Sequence, residues 1–256
     1  MSQPTKDIIY GIHSLEEAMA SNTEIEKILV RKDHENDSIK KILHEAYSLN
    51  IPIQKVPVQK INAITRKNHQ GILAFISTIM YASLDNVIHE TFRQAKDPLL
   101  LMLDRITDVR NFGAISRTAE GLGFHAIILP ARGGALINQE AMKASAGALA
   151  HIPVCRVKNL AGTLRYLQNH GIRIIACTDK GDKLLYEKKL TGPLALVLGS
   201  EGEGISQEIL NVCDEKVRIP MFGMMTSYNV SVSMAIAGSE IVRQRMDHRK
   251  EGDPLR

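Results

Sequence analysis

One stretch of the chain, residues 194–239, constrains the fold more than any other. An apolar run at 194–198 breaks into the glycine-rich sequence GSEGEG, and a second predicted strand, 216–220, follows a short helical bridge. A loop then leads into a long helix of small residues from about Tyr228. Ligands bind at the carboxyl ends of strands in parallel α/β sheets, where backbone groups are left unpaired. The stretch therefore predicts a ligand site, although a tight strand-to-helix turn also explains GSEGEG.

Strand-like and helix-like segments alternate from Pro98 onward, and this predicts a parallel, doubly wound sheet with helices on both faces. The predicted strands are 99–103, 125–129, 154–157 and 173–177, and the predicted helices are 112–122, 139–150 and 160–169. Before them, residues 1–78 predict a smaller α/β domain, in which Ser14 and Glu17 have the spacing of a helix-starting capping box. We assign residues 79–97 to a linker and helix, and 98–256 to the larger domain.

Composition excludes several classes of protein. The 256 residues are 44% hydrophobic, but no uncharged apolar run reaches the ~20 residues of a membrane helix, and the first ten residues lack a signal peptide. A cytoplasmic protein without a membrane partner is expected. Three cysteines form no CxxC pair and nine histidines lack ligand spacing, so we expect buried thiols and no metal.

Charge gives only a weak indication of the partner. The net charge of +4 is compatible with a polyanion but does not require one. The N-terminal domain is nearly neutral, so any RNA contact there must come from a local patch, such as Lys27 with Arg31 and Lys32, or Arg66 with Lys67. A solvated surface is the more common explanation of such patches taken alone.

A second group of polar residues follows the strand at 99–103. Residues 108–113 are predicted as a polar loop, and Arg117 lies in the next helix among small and apolar neighbours, on the turn nearest that loop. A guanidinium in such surroundings needs a partner. Arg117 is either a surface or ion-paired residue, or a phosphate ligand with a planar fork of donors.

A third group, Ser227 to Ser231, precedes the last helix. Ser227 is the predicted N-cap, and a helix N-terminus presents free N–H groups to a ligand. Capping explains Ser227 and also Asn229. It does not explain why a strand end and a bend at 219–223 lead to the same place.

Taken together, the three groups resemble the SpoU/TrmH branch of the SPOUT methyltransferases, which methylate ribose 2′-hydroxyls in RNA with S-adenosylmethionine. The resemblance rests on DVRNFGAISRTAEGLG, LVLGSEGEGIS and IPMFGMMTSYNVSVSMAIAG, in that order. YGIHSLEEAM and NHQGILAF are similar to the N-terminal substrate-binding domain of bacterial 23S rRNA guanosine-2′-O-methyltransferases. The chain departs from the family pattern at Tyr228, where Leu is usual, and at Arg110, where Pro is usual.

The resemblance implies a C-terminal SPOUT domain with a deep trefoil knot, an exception to unknotted topology, and a homodimer. It places S-adenosylmethionine beside the main chain near Leu198, Gly199, Ile219, Met221 and Tyr228, with Thr178 lining the same pocket. It also assigns five catalytic positions: Asn111, Arg117, Glu201, Ser227 and Asn229. The implied activity is methylation of a ribose 2′-hydroxyl, of a guanosine in 23S rRNA.

Two alternatives stay open at this point. The first is a tRNA ribose methyltransferase with the same catalytic domain, against which the N-terminal domain weighs. The second is a non-catalytic RNA-binding ribosome-assembly protein, against which the intact site residues weigh. A stripe on the last helix, from Val230 through Met234, Ala237 and Ile241 to Val242, is expected to bury itself either against the chain's own sheet or across a dimer axis.

Overall fold

The computed structural model describes residues 8–21, 23–32, 36–49 and 51–247. Within them the chain forms two compact units that meet in sequence between Met80 and Tyr81, with Leu136–Gln139 belonging to the first unit. Thr78 joins that short segment to the first unit, because its backbone N–H and its hydroxyl both donate to the carbonyl of Ile137 at 3.0 and 3.1 Å.

The first unit is a mixed four-stranded sheet in the order β1-β4-β2-β3. Its elements are β1 (Ile8–Tyr10), α1 (Ile12–Ala20), β2 (Ile25–Arg31), α2 (Asp37–Ser48), β3 (Ile53–Val56), α3 (Val58–Ile64) and β4 (Ile72–Ile76). Successive side chains of a strand point to opposite faces of the sheet, so the apolar side chains form two layers. Ile28 and Ala74 face α1 and α2, whereas Leu29 and Leu73 pack with Ile61 of α3 on the other face.

The first helix corrects a prediction. Ser14 does not cap it, because α1 already begins at Ile12, after Gly11. The free backbone N–H of Ile12 is instead satisfied by the side-chain oxygen of Gln70, at 2.9 Å. A cap supplied from 58 residues away leaves no local signal, so the capping-box spacing was misleading.

The second unit contains a seven-stranded sheet in the order β7-β6-β5-β10-β8-β11-β9, and every neighbouring pair is parallel. Its strands are β5 (Leu99–Asp104), β6 (Ala126–Pro130), β7 (Val154–Val157), β8 (Arg173–Cys177), β9 (Lys183–Leu184), β10 (Leu194–Gly199) and β11 (Glu215–Arg218). Its helices are α4 (Leu84–Arg93), α5 (Val109–Gly121), α6 (Gln139–Ala144), α7 (Leu160–Asn169), α8 (Gln207–Leu210) and α9 (Val230–Asp247), with 3₁₀ turns at Ala148–Ala150 and Leu185–Glu187.

Helices cover both faces of this sheet. Residues of α4, α7 and α8 share one core cluster with alternate residues of the strands, such as Leu100 and Val197. α5 and α9 pack on each other, and α9 also contacts β10, so the intervening residues Leu101 and Leu196 face the other way. The predicted α/β class with a parallel sheet and helices on both faces is confirmed. β10 lies between β5 and β8, and the knot stays a prediction.

Two helix predictions in this unit were wrong at their ends. Residues 108–113 are not a loop, because Asp108 caps α5 by accepting from the backbone N–H of Asn111 at 2.8 Å and the helix starts at Val109. The helix predicted over 139–150 stops at Ala144, since Ala146 and Gly147 adopt positive φ angles of 49° and 88°. The same correction places Arg117 in the third turn of α5 instead of the turn nearest the loop.

The predicted stripe on α9 packs within the chain. Val230, Met234, Ala237 and Ile241 are buried, and an added Cβ on Gly238 would lie 2.7 Å from Leu122 Cδ1. Thus Gly238 lets α9 approach the end of α5 closely. Of the two alternatives for this stripe, burial against the chain's own core is the one observed.

Candidate active site

Three side chains from distant parts of the sequence meet where α5 and α9 begin. The amide nitrogen of Asn229 donates to Asn111 Oδ1 at 3.2 Å and also to Glu201 Oε1. Asn111 lies in the first turn of α5, which follows β5, and Glu201 lies in the loop that follows β10. Because β5 and β10 are adjacent parallel strands, their carboxyl ends bring these loops together. The sequence placed all three residues among the catalytic candidates, and the structure joins them.

Asn229 is held in one orientation by its own neighbours. It directly precedes α9, and its side-chain oxygen accepts from Ser231 N at 2.9 Å and from Ser231 Oγ at 2.6 Å. The oxygen is therefore committed to the helix end, and the amide N–H groups point to Asn111 and Glu201. Ser227 was the predicted N-cap, but Asn229 occupies that place and Ser227 is an exposed loop residue. The side-chain amide of Asn229 thus caps α9 and also forms part of the polar site.

The loop that carries Glu201 folds back tightly on its strand. Ser200 and Gly204 form an antiparallel bridge, with the Gly204 N–H donating to the Ser200 carbonyl at 2.9 Å. A Cβ on Gly199 would lie 2.2 Å from Gly204 C and from Ile205 N, which no side chain tolerates. Gly199 therefore permits the fold-back, and it fixes where Glu201 can stand.

Two residues that the sequence analysis missed brace this loop. Asp104, at the end of β5 and only 4% exposed, accepts from the backbone N–H of Ser206 at 2.7 Å. Arg105 donates to the Gly204 carbonyl at 3.1 Å and forms an ion pair with Glu203. A carboxylate that directly ends a wholly apolar strand is the signal that could have revealed Asp104, since a buried charge needs partners.

The candidates for cofactor contact lie along the neighbouring strand ends. Thr178 follows β8, and its N–H donates to the Val217 carbonyl of β11 at 2.9 Å. Leu198, in β10, is 1% exposed. Ile219 and Met221 follow β11 directly and are half-buried, whereas Tyr228 is 40% exposed. β8 lies between β10 and β11, which puts these positions at one edge of the sheet.

The segment after β11 has unusual backbone chemistry. Among the described residues, no backbone hydrogen bond joins positions 221–227 to any other part of the chain. Phe222, Met224 and Met225 in this segment are 97%, 101% and 74% exposed. Free main-chain donors and acceptors beside apolar side chains suit a ligand with a flat, hydrogen-bonding ring. This chemistry fits the adenine of S-adenosylmethionine.

Arg117 is not joined to the other candidates. It is exposed, and within the described part of the chain it has no hydrogen-bond or ion-pair partner. Asn111 and Arg117 are six residues apart on α5, which separates them by about 9 Å along the helix axis. A free guanidinium on an exposed helix face is available to an anion. Arg110, by contrast, is paired with Glu140 at 2.9 Å, which raises the pKa of Arg110.

The cysteines show no sign of chemistry. Burial raises the pKa of each thiol, Cys155, Cys177 and Cys213, to about 12, so at neutral pH they stay protonated. Across residues 8–247, apart from the short gaps, no group of three or more His, Cys, Asp or Glu could hold a metal ion. The described helices likewise include none that is long and apolar enough to cross a membrane.

Comparison with known proteins identifies the class to which this fold and site belong. The model of the SpoU rRNA Methylase family matches residues 98–239, more than half of the chain. A second model, described as RNA 2′-O ribose methyltransferase substrate binding, matches residues 8–82. The chain belongs to the SpoU rRNA methylase family, as the sequence resemblance predicted.

Individual relatives extend this assignment. The chain is 38% identical over 241 residues to the 23S rRNA (guanosine-2′-O-)-methyltransferase RlmB of Haemophilus influenzae, covering 93% of this chain and 98% of that protein. It is 29% identical, with a TM-score of 0.55, to the TrmH/SpoU tRNA modifying enzyme of A. aeolicus, over 63% of this chain and 85% of that one. The SpoU methyltransferase AviRb of Streptomyces viridochromogenes, solved with AdoMet, shares the fold at 21% identity, a TM-score of 0.60 and coverage of 94% and 90%.

Proposed function

We propose that this protein transfers a methyl group from S-adenosylmethionine to a ribose 2′-hydroxyl, that of a guanosine, in 23S rRNA. The observation that carries the proposal is the junction of Asn111, Glu201 and Asn229 at the carboxyl edge of a parallel sheet. A relative of this name that is 38% identical over nearly the whole length of both chains supports the choice of reaction and of RNA. A cytoplasmic location is part of the proposal, because the relatives are named as enzymes that act on ribosomal RNA.

The cofactor pocket of the proposal lies at the ends of β8, β10 and β11. The main chain near Gly199, Ile219 and Met221 would hold the adenine and ribose, with Leu198, Thr178 and Tyr228 completing the pocket. The unbonded backbone of 221–227 supports this placement, since its donors and acceptors have no partner within the described chain. S-adenosylmethionine supplies an electrophilic methyl group.

The chain's own residues would position the acceptor. A ribose hydroxyl is a poor acid, so its oxygen must be aligned with the methyl group and its proton accepted as the new bond forms. Asn229 keeps Glu201 and Asn111 together, and these three would orient the hydroxyl and the two loops, with Ser227 lying in the loop beside them. Arg117 stays charged and cannot act as a base. It would clamp an RNA phosphate, whose oxygen then accepts the proton.

A homodimer is part of the proposal. Arg117 stands about 9 Å along α5 from Asn111 and has no partner in its own described chain, and we infer that it serves the site of a second copy. α9 also exposes two large apolar side chains, Val232 at 42% and Met246 at 51%. Exposed apolar residues at helical spacing favour contact with another helix. In the dimer each site would combine donor-side loops from one subunit with Arg117 from its partner.

The tRNA alternative is supported by the likeness to the A. aeolicus tRNA modifying enzyme, but that likeness covers only 63% of this chain. The match of residues 8–82 to a substrate-binding domain favours the rRNA enzyme, because the two-domain relatives cover it as well. A non-catalytic assembly protein is disfavoured because the three polar site residues are present and joined.

Mapping of 2′-O-methyl groups decides between these functions. We expect one guanosine of 23S rRNA to lose its methyl group in cells that lack the gene, and to regain it with the wild-type gene but not with an Asn229→Ala variant. Loss of a tRNA methyl group instead would establish the tRNA activity. Unchanged rRNA and tRNA would contradict any methyltransferase function.

A further inference from the structure

The first unit presents an aromatic and basic surface that the proposed chemistry does not use. On the sheet face opposite α1 and α2, Tyr10 of β1 and Phe75 of β4 are half-buried beside the small core under α3. Each ring lies under a lysine, with Lys67 Nζ 5.6 Å from the Tyr10 ring centre and Lys27 Nζ 5.2 Å from that of Phe75. We call these four residues, together with Lys60 of α3 near Lys27, the sheet-face patch.

The strand register explains why the patch is continuous. Phe75 pairs with Lys27 on β2, and Tyr10 pairs with Leu73, which is two residues before Phe75 on β4. Side chains two residues apart on a strand point to the same face, so the two rings are diagonal neighbours about 7–8 Å apart at the backbone. Both rings are therefore displayed on one surface rather than on opposite faces.

The charge on this surface is one-sided. Burial and, next, the nearby Lys60 lower the pKa of Lys27, while Glu26, only 2% exposed, acts weakly in the opposite direction. Lys60 and Lys67 are exposed. Lysines that repel each other over aromatic rings are stabilised by a bound anion, and a phosphate is an anion that a nucleic-acid strand supplies beside every base.

We propose that the sheet-face patch binds an unpaired segment of the RNA substrate, with bases stacked on Tyr10 and Phe75 and phosphates held by Lys27, Lys60 and Lys67. Aromatic platforms flanked by basic residues bind single-stranded nucleic acid in this way, without reading sequence. The inference rests on the proposed RNA methyltransferase function and assigns part of the substrate's binding surface. The residues of the sheet-face patch are remote in sequence from those of the candidate active site.

The test uses the full-length protein and two fluorescent probes, a short oligouridylate and a blunt RNA duplex of equal length. We expect tighter binding of the oligouridylate, and roughly tenfold weaker binding by Phe75→Leu, which keeps an apolar side chain but removes the stacking surface. A Lys27→Gln/Lys60→Gln double variant should reduce the slope of log affinity against log salt by about 1.4, from two lost phosphate contacts on a single strand.

Lys41→Gln is the matched control, because Lys41 is an exposed lysine of α2, on the other side of the same sheet. Its affinity and salt slope should equal those of the wild type within twofold. If Phe75→Leu melts at a clearly lower temperature, Tyr10→Leu provides the second stacking variant. Patch variants that bind the oligouridylate as Lys41→Gln does, or a preference for the duplex, would overturn the proposal.

Methyl transfer separates this inference from the proposed function. With 23S rRNA as substrate, the patch variants should raise KM about tenfold and leave kcat at saturating RNA unchanged. A wild-type protein that methylates no RNA would contradict the proposed function, while the binding data would still decide the role of the patch. Normal activity with unchanged KM in the patch variants would refute the patch alone.

Discussion

Gly199→Ala tests whether the fold-back of the loop after β10 sets the position of the candidate site. An added Cβ would lie 2.2 Å from Gly204 C and Ile205 N and 2.3 Å from Gly204 O, whereas ordinary contact begins at 3.4 Å. All three atoms belong to the backbone, so the loop must move by roughly 1 Å or more, since no flexible side chain can yield instead. Overpacking of this kind destabilises a fold by about 1–3 kcal/mol.

Activity should fall together with stability. Glu201 stands two residues beyond Gly199 and bonds to Asn229, so a shift of the loop displaces the polar site itself. A misplacement of about 1 Å in a catalytic site can reduce the rate by roughly a hundredfold. We expect that loss in kcat at saturating S-adenosylmethionine and 23S rRNA, alongside a decrease of about 1–3 kcal/mol in the free energy of unfolding in urea without ligands.

Gly202→Ala is the matched control. It lies in the same loop, but nothing stands within 4 Å of its added Cβ, and its φ is not in the left-handed region. Its unfolding free energy should stay within about 0.5 kcal/mol of the wild type, with activity nearly unchanged. If Gly199→Ala behaves like Gly202→Ala in both measurements, the close packing does not position the site and the reasoning fails.

Four other predictions follow from the same structure. Arg117→Ala should abolish methyl transfer but leave the affinity for S-adenosylhomocysteine within a few-fold by calorimetry; a collapse of that affinity in a folded dimer would contradict its assignment to RNA. Co-expressed, differently tagged Arg117→Ala and Asn229→Ala chains should recover activity as a heterodimer, and no recovery above the two parents would place the whole site in one chain. A chain starting at Leu84 should fold, dimerise and bind S-adenosylmethionine but methylate 23S rRNA poorly; full activity would show that the first domain does not select the target. Burial lowers the pKa of His125, whose ring nitrogen accepts a hydrogen bond from Leu99 N. Unfolding therefore takes up a proton, and the free energy of unfolding should fall as the pH drops below about 6.5. Urea titrations should show a weaker decline of that free energy for His125→Asn, and an equal decline would refute this.

Local sequence patterns predicted the helices and strands correctly where local interactions determine them. The bounds of β7, α7 and β8 match the predicted ranges, because each is a periodic apolar segment between clear breaks. Long-range partners caused the errors, as when Gln70 caps α1 and removes any need for the Ser14 box. The break after α6 depends on Ala146, which adopts a positive φ although its residue type gives no signal for one.

For the candidate site, too, the sequence predicted some residues and missed those that act through long-range contacts. The family resemblance identified Asn111, Glu201 and Asn229, and the structure brought them into contact. It could not show that Asp104 braces the loop of Glu201, because that bond joins positions 102 residues apart. The resemblance assigned Arg117 to the same site, but the single chain does not bring it into contact with the other three residues, and our proposal is that a second subunit does.

The position of β10 has a consequence for the protein as it leaves the ribosome. Leu194 pairs with Leu99 on one side and with Arg173 on the other, so β10 is the central strand of the sheet. It is also the next-to-last strand to be synthesised. At ~5–20 residues per second, the 95 residues between Leu99 and Leu194 take about 5–20 s to emerge. During that time the edge of β5 that β10 later covers has no partner strand, and open edges are templates for pairing with other chains. The nascent chain therefore holds β5, β6 and β7 with one open edge until β10 emerges, and the same strand then joins them to β8 and leads into the loop of Glu201.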